Sequence, residues 1–240
     1  MLWYTPGINQ LIRRKVYKQL MESFGGKLNF LIIGGAALNE EVERCMKQIH
    51  FPYTCGYGMT ECAPLLCYAK WNEFEFKSCG RIIDRMEIRV DSNDPTSIPG
   101  EIQVRGANVM LGYYKNPEAT NNAFTKDGWL RTGDIGVIDQ KHNVFLRGRS
   151  KNMILGPSGQ NIYPEEIEDK LNSLDGILEC VVVERKGVLV GLVYPEDLTN
   201  REEFAKATLE KVNKLLPAYA RLGSIEIVEQ EFEKTPKKSI

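Results

Sequence analysis

Over residues 8–24 the apolar positions Ile8, Leu11, Ile12, Val16, Leu20 and Phe24 fall near one face at helical spacing, and the pattern stops at Gly25-Gly26. That predicts a first helix. Residues 28–33 form a continuous apolar run, read as a buried strand that ends in Gly34-Gly35-Ala36-Ala37. Asn39 is placed to cap a helix running to Ile49, with Glu40 and Glu41 in its first turn, where the helix dipole favours acids. Residues 51–57 return as a strand. This β–turn–α–β order predicts an α/β layer whose strand-end loops are the usual seats for ligands.

From about residue 81 to 149 the texture becomes short strands and turns. Strands are expected at 86–91, 101–105, 134–138 and 143–146, separated by turns at Asn93-Asp94-Pro95, Pro99-Gly100 and Lys126-Asp127-Gly128. They suggest a small barrel or a curled sheet. Past Arg149 the pattern changes again: a strand at 151–155, a helix at 164–174 opened by proline and acids, and a hairpin of 177–184 with 188–194. A helix at 202–215 and a strand at 224–228 complete a compact α+β unit. The expected fold class is therefore α/β and α+β: the end of an α/β layer with a β-barrel-like subdomain, then a small carboxyl-terminal α+β domain. The division falls between 1–150 and 151–240.

Composition narrows the function classes. With 240 residues, 42% of them hydrophobic, the chain can bury a substantial core. Thirty-one basic residues against thirty-two acidic ones leave a net charge of −1, which implies no nucleic-acid partner. The basic face of the 8–24 helix (Arg13, Arg14, Lys15, Lys18) fits either peripheral contact with phospholipid or, as such faces commonly do, solvent. His50 and His142 are too few and too distant in sequence for a histidine-built metal site. The six cysteines contain no Cys-x-x-Cys pair, and reduced, mostly buried thiols in a cytoplasmic protein are expected. No apolar run approaches the roughly 20 residues that span a bilayer, and the start does not read as a signal peptide.

Several segments carry candidate chemistry. Gly34-Gly35-Ala36-Ala37, lacking large side chains, permits backbone to approach a flat ligand, though a tight strand-to-helix turn reads the same way. Tyr57-Gly58-Met59-Thr60-Glu61 supplies an aromatic face, a flexible joint, a hydroxyl and a carboxylate. A carboxylate beside a hydroxyl suits magnesium, which takes one or two acids and completes its shell with water and phosphate oxygens. In Gly128-Trp129-Leu130-Arg131-Thr132-Gly133-Asp134 an acid follows a turn and is positioned to accept from a diol. In Gly148-Arg149-Ser150-Lys151 a guanidinium sits where the texture changes, suited to ribose or phosphate oxygens or simply to solvent.

The order and spacing of these segments resembles the adenylate-forming superfamily of acyl-CoA synthetases, luciferases and peptide-synthetase adenylation domains. The resemblance is carried by IGGAAL (33–38), GYGMTE (56–61), PGEIQVRGANVMLGYYKNPEAT (99–120), GWLRTGDIG (128–136), GRSKNMIL (148–155) and SGQNIYPEEIE (158–168). The wording of residues 25–38 and of the last segment is similar to the long-chain bacterial acyl-CoA synthetases. The resemblance implies an ATP-dependent ligase that activates a long-chain fatty acid as acyl-AMP and passes it to CoA, with Mg2+ as the metal. It implies that Gly35 and Ala36 line one side of the adenine and Tyr57 another, that Gly58 belongs to the nucleotide site, that Thr60 meets the α-phosphate and that Glu61 holds the metal. Asp134 would hold both ribose hydroxyls with support from Arg149, Lys151 would be the hinge between two half-reactions, and Gly159 would approach the CoA pantetheine. It also implies that 1–150 is a partial amino-terminal, nucleotide-binding domain and 151–240 a mobile carboxyl-terminal one. Acyl transfer to a carrier-protein pantetheine, activation of an aryl acid, and a non-catalytic nucleotide-binding module are the alternatives.

Two features depart from the family. Its Ser/Thr/Gly-rich phosphate loop is not in these 240 residues, so the chain is expected to partner a missing amino-terminal domain and to be inactive alone. The family's catalytic lysine, near the carboxyl end, aligns with Ser239, and Lys238 is expected to stand in for it ahead of Lys237.

Overall fold

The computed structural model describes residues 8–156 and 159–234. The first part of the chain runs α1 (Ile8–Ser23), β1 (Leu31–Ile33), α2 (Glu40–Gln48), β2 (Tyr53–Cys55), β3 (Tyr57–Gly58), β4 (Leu65–Tyr68) and β5 (Arg81–Ile82). The middle runs β6 (Met86–Asp91), β7 (Gly100–Gly106), α3 (Pro117–Ala123), β8 (Leu130–Ile138) and β9 (Val144–Arg149). The remainder is β10 (Ile154–Leu155), β11 (Asn161–Ile162), α4 (Pro164–Asn172), β12 (Ile177–Arg185), β13 (Val188–Pro195), α5 (Arg201–Leu215) and β14 (Ser224–Ile227).

The mixed α/β and α+β class read from the sequence is what forms. The middle strands make an open four-stranded sheet in chain order, β6-β7-β8-β9, which gives the curled-sheet alternative and no closed barrel. The strand expected at 28–33 is reduced to β1 because only Leu31, Ile32 and Ile33 find partners, in parallel register with Tyr53, Thr54 and Cys55. The strand expected at 151–155 keeps only Ile154 and Leu155, paired with Ile162 and Asn161, because the residues before them close a turn. Among the described residues no helix is long and apolar enough to cross a membrane.

The described residues divide into two compact units. One holds those up to Arg89 with Gln103–Arg131 and Ile138–Phe145; the other holds Val90–Ile102, Thr132–Val137 and those from Leu146 onward. In the first, Asn39 caps α2 as its sequence position predicts, its Oδ1 accepting from the N–H groups of Glu41 and Val42 at 3.0 and 3.2 Å. Met46, Ile49, Phe51 and Tyr53 form a core against which Val16, Tyr17 and Leu20 of α1 and Leu31 and Ile33 of β1 pack. Other apolar residues there face solvent: Leu11 is 68% exposed, Phe30 46% and Ile32 50%. In the second unit β12, β13 and β14 form one sheet, β13 pairing antiparallel with β12 and, across the α5 crossover, parallel with β14. Ile167 and Leu171 of α4 and Val212 of α5 close its core over Cys180, Val182, Leu189 and Val193.

Candidate active site

Because β1 and β2 are parallel, their carboxyl ends open on the same side, where an α/β layer seats ligands. The two loops leave side by side: Gly56 N–H donates to Ile33 O at 2.8 Å, and a Cβ on Gly34 would stand 3.4 Å from Gly56 O. Gly35 and Ala36 are exposed on one loop. On the other, Tyr57 is buried at the base, Gly58 and Thr60 are exposed and Glu61 is half-buried. Gly58 has no room for a side chain, since a Cβ would fall 2.2 Å from Pro64 O. That close approach lets Met59 N–H reach Pro64 O at 2.8 Å and folds Thr60, Glu61 and Cys62 into a single 3-10 turn.

A segment to which the sequence reading gave no chemistry braces this turn. Tyr113 donates its hydroxyl to Glu61 Oε1 at 2.9 Å, Met110 N–H donates to Glu61 O at 2.7 Å, and Asn108 Nδ2 donates to Cys62 O and Leu65 O at 2.6 and 3.0 Å. Tyr113 is held in turn by α3: its N–H donates to Thr120 Oγ1 at 2.9 Å, and Thr120 donates to Asn116 O at 2.8 Å. No helix was expected here from sequence, although Asn116-Pro117, an N-cap followed by proline at the first helical position, is the signal that could have found α3. The bond to Glu61, then burial, raises the Tyr113 hydroxyl above its ordinary pKa, so it stays a proton donor. Glu61 beside an exposed Thr60 hydroxyl fits magnesium, which needs few protein ligands when phosphate and water supply the rest. Among the described residues no group of three or more His, Cys, Asp or Glu gathers as a metal cage. All six cysteines are free, and burial pushes the Cys55 and Cys62 thiols up to about 12 and about 11, which leaves them poor nucleophiles.

In the second unit Asp134 of β8 is buried, and its Oδ1 lies 2.9 Å from Nε of Arg149 on β9. The two residues assigned to one ribose are thus adjacent. Asp134 is set in place from its own strand: its N–H donates to Thr132 Oγ1 at 3.1 Å, and Thr132 donates to Ile102 O at 2.7 Å. With its guanidinium mostly exposed, the Arg149 pair orients more than it stabilises. Lys151 is exposed on the turn after β9, and Gly159 is exposed in the loop between β10 and β11. Lys238, with Lys237 and Ser239, lies outside the described residues.

This architecture is that of adenylate-forming enzymes. The fold matches O-succinylbenzoate coenzyme A synthetase from Bacillus subtilis, in complex with ATP and magnesium ion, at a TM-score of 0.75 and 23% identity, over 93% of this chain and 49% of that one. The AMP-binding enzyme family matches residues 1–114, the C-terminal domain of AMP-binding enzymes matches residues 166–238, and the chain belongs to this family, within the adenylate-forming CoA ligase superfamily. A long-chain-fatty-acid–CoA ligase of Escherichia coli O157:H7 is 37% identical over 181 residues, 73% of this chain and 31% of that protein. The 4-coumarate–CoA ligase CCL1 of Humulus lupulus is 35% identical over 223 residues, 86% of this chain and 40% of that protein. The chain therefore spans between a quarter and half of the relatives and structures it resembles.

Proposed function

We propose that this chain carries the nucleotide-handling turns and the hinge of an AMP-forming ligase that joins a long-chain fatty acid to CoA. The observation that carries the reading is the meeting of the Gly35-Ala36 and Tyr57–Glu61 turns at the carboxyl ends of β1 and β2, with Glu61 held by Tyr113. The name of the Escherichia coli relative supports the choice of acid. In the first half-reaction a carboxylate oxygen attacks the α-phosphorus of ATP, pyrophosphate leaves, and acyl-AMP forms. In the second the CoA thiolate attacks the acyl carbon and AMP leaves. A bound Mg2+ supplies charge neutralisation at the phosphates, and Glu61 is the residue that would hold it. Thr60 donates to the α-phosphate, Gly35, Ala36, Tyr57 and Gly58 shape the adenine seat, and Asp134 accepts from both ribose hydroxyls beside Arg149. Lys238 brings a cation to the reacting carboxylate and α-phosphate, two anions that otherwise repel. Lys151 is the hinge, and Gly159 borders the pantetheine path. Positioning and charge screening carry this chemistry without a histidine base.

An aryl acid is the second reading, favoured by the 35% identity to a 4-coumarate–CoA ligase over a longer stretch of this chain. One panel on a complete ligase carrying this chain separates the two: acid-dependent ATP–pyrophosphate exchange and CoA-thioester formation with long-chain acids and with 4-coumarate, in wild type and Asp134→Ala. Long-chain acids are expected to give the higher kcat/KM. Asp134→Ala should weaken ATP by about 1.5–3 kcal/mol, the loss expected when hydrogen bonds to a charged group disappear. A preference for 4-coumarate overturns the choice of acid, and unchanged ATP affinity overturns the ribose assignment.

A further inference from the structure

Between β9 and β10 the chain closes a turn: Asn152 N–H and Met153 N–H both donate to Arg149 O at 3.1 Å, and Ser150 N–H donates to Gly133 O at 2.9 Å. These bonds fall on Arg149, Ser150, Asn152 and Met153 and not on Lys151. One side chain from further along the chain reaches into the turn. Glu165, in the first turn of α4, accepts at Oε1 from the Arg149 backbone N–H at 3.3 Å and from Asn152 Nδ2 at 2.8 Å. Its other oxygen, Oε2, is buried without a hydrogen-bond partner, pressed against backbone so closely that a Cβ on Gly148 would stand 2.5 Å from it. Next to it, Arg147 and Glu166 pair at 3.4 Å.

These contacts differ in which side of residue 151 they touch. Asn152 and Glu165 both follow Lys151, so their bond survives any rotation about that residue. Gly148 and Arg149 precede it, so the Glu165 bond to Arg149 N–H and the packing on Gly148 both span the pivot. Rotation of the backbone at Lys151 has to break them. We propose that Glu165 is a positioning residue, a latch across the Lys151 pivot whose carboxylate holds Arg149 in the orientation seen here. The proposal rests on the hinge reading of Lys151 given above. The unpartnered Oε2 makes the latch easy to open. A buried carboxylate oxygen without a donor is costly, and opening returns it to water, offsetting the lost bond to Arg149. An arrangement balanced in this way suits an element that alternates between two states in each turnover.

Three variants read the latch. Glu165→Ala removes the acceptor, Gly148→Ala drives a methyl into the space held by Oε2, and Glu165→Gln keeps an acceptor oxygen at the Oε1 position. In this chain, amide hydrogen exchange at Arg149 should accelerate roughly 3–10-fold in Glu165→Ala and Gly148→Ala, the scale of one lost hydrogen bond, and stay near the wild-type rate in Glu165→Gln. In a complete ligase the two half-reactions, measured separately, should then shift in opposite directions in the first two variants and be restored in Glu165→Gln. An Arg149 amide that exchanges at the wild-type rate in Glu165→Ala overturns the latch. So does an equal fall of both half-reactions, which marks a merely structural role. Failure of the hinge reading itself is distinct: it shows as no split between half-reactions in Lys151→Pro, whatever the exchange rate at Arg149.

Discussion

Glu168 stands on the inner side of α4, where its Oε1 accepts the Val182 N–H of β12 at 2.8 Å. Burial lifts its carboxyl from the usual range near 4.5 to about 6, against the lowering effect of that bond. Between those values the folded chain binds more protons than the unfolded one, so stability is fully present below about pH 4.5 and declines as pH rises to about 6. At neutral pH the ionised group costs on the order of 2 kcal/mol. Glu168→Gln keeps an acceptor for Val182 and cannot ionise, so its denaturation midpoint should exceed wild type at pH 7 and match it near pH 4. Urea titrations across that range would show a constant offset if the bond, and not the charge, decides. Asn39 was legible from sequence as a cap, because the N–H groups it serves follow it by two and three residues. Asp134 and Arg149 stood there only as an acid after a turn and a guanidinium at a change of texture, and their pairing is seen in the structure. Tyr113 and Glu165 were not legible. Each acts on a group 16 or more residues away, and neither helical nor strand periodicity records such a contact.

Helices and hairpins were the most readable elements, because their partners are near in sequence and their boundaries carry caps and turns. Residues 177–185 and 188–195 pair around Lys186-Gly187 much as their alternation implies. The short strands were harder, since β10 exists only through two pairings with β11, and an apolar run gives no sign of where its partner ends. The turn that displaced the rest of the expected 151–155 strand is the one that matters for motion. Its hydrogen bonds bypass Lys151, so Lys151→Pro removes none of them and acts by fixing φ near −65°. In a complete ligase this variant should impair thioester formation from supplied acyl-adenylate more than acyl-adenylate formation. Stopped-time assays of each half-reaction check it, and equal losses would point to misfolding.

For the molecule as a whole, the exposed Ile32 lies within β1 and the exposed Phe30 just before it, in a two-stranded parallel sheet, an arrangement that ordinarily has both faces covered. The 240 residues lack the Ser/Thr/Gly-rich phosphate loop that the family places before these turns. Assayed alone, this polypeptide should give no fatty-acid-dependent ATP–pyrophosphate exchange, and robust exchange would remove the phosphate-loop requirement from the mechanism. The open sheet has a different consequence. In β6-β7-β8-β9 every strand lies beside the one that precedes it in the chain. Its pairings therefore close short loops at β6-β7 and β8-β9 and a longer one, holding α3, at β7-β8, and the entropy of closure grows only slowly with loop length. During synthesis each new strand emerges with its neighbour already made, so this sheet can assemble in the order of translation, with β7 waiting for α3 before β8 arrives as β13 waits for α5 before β14.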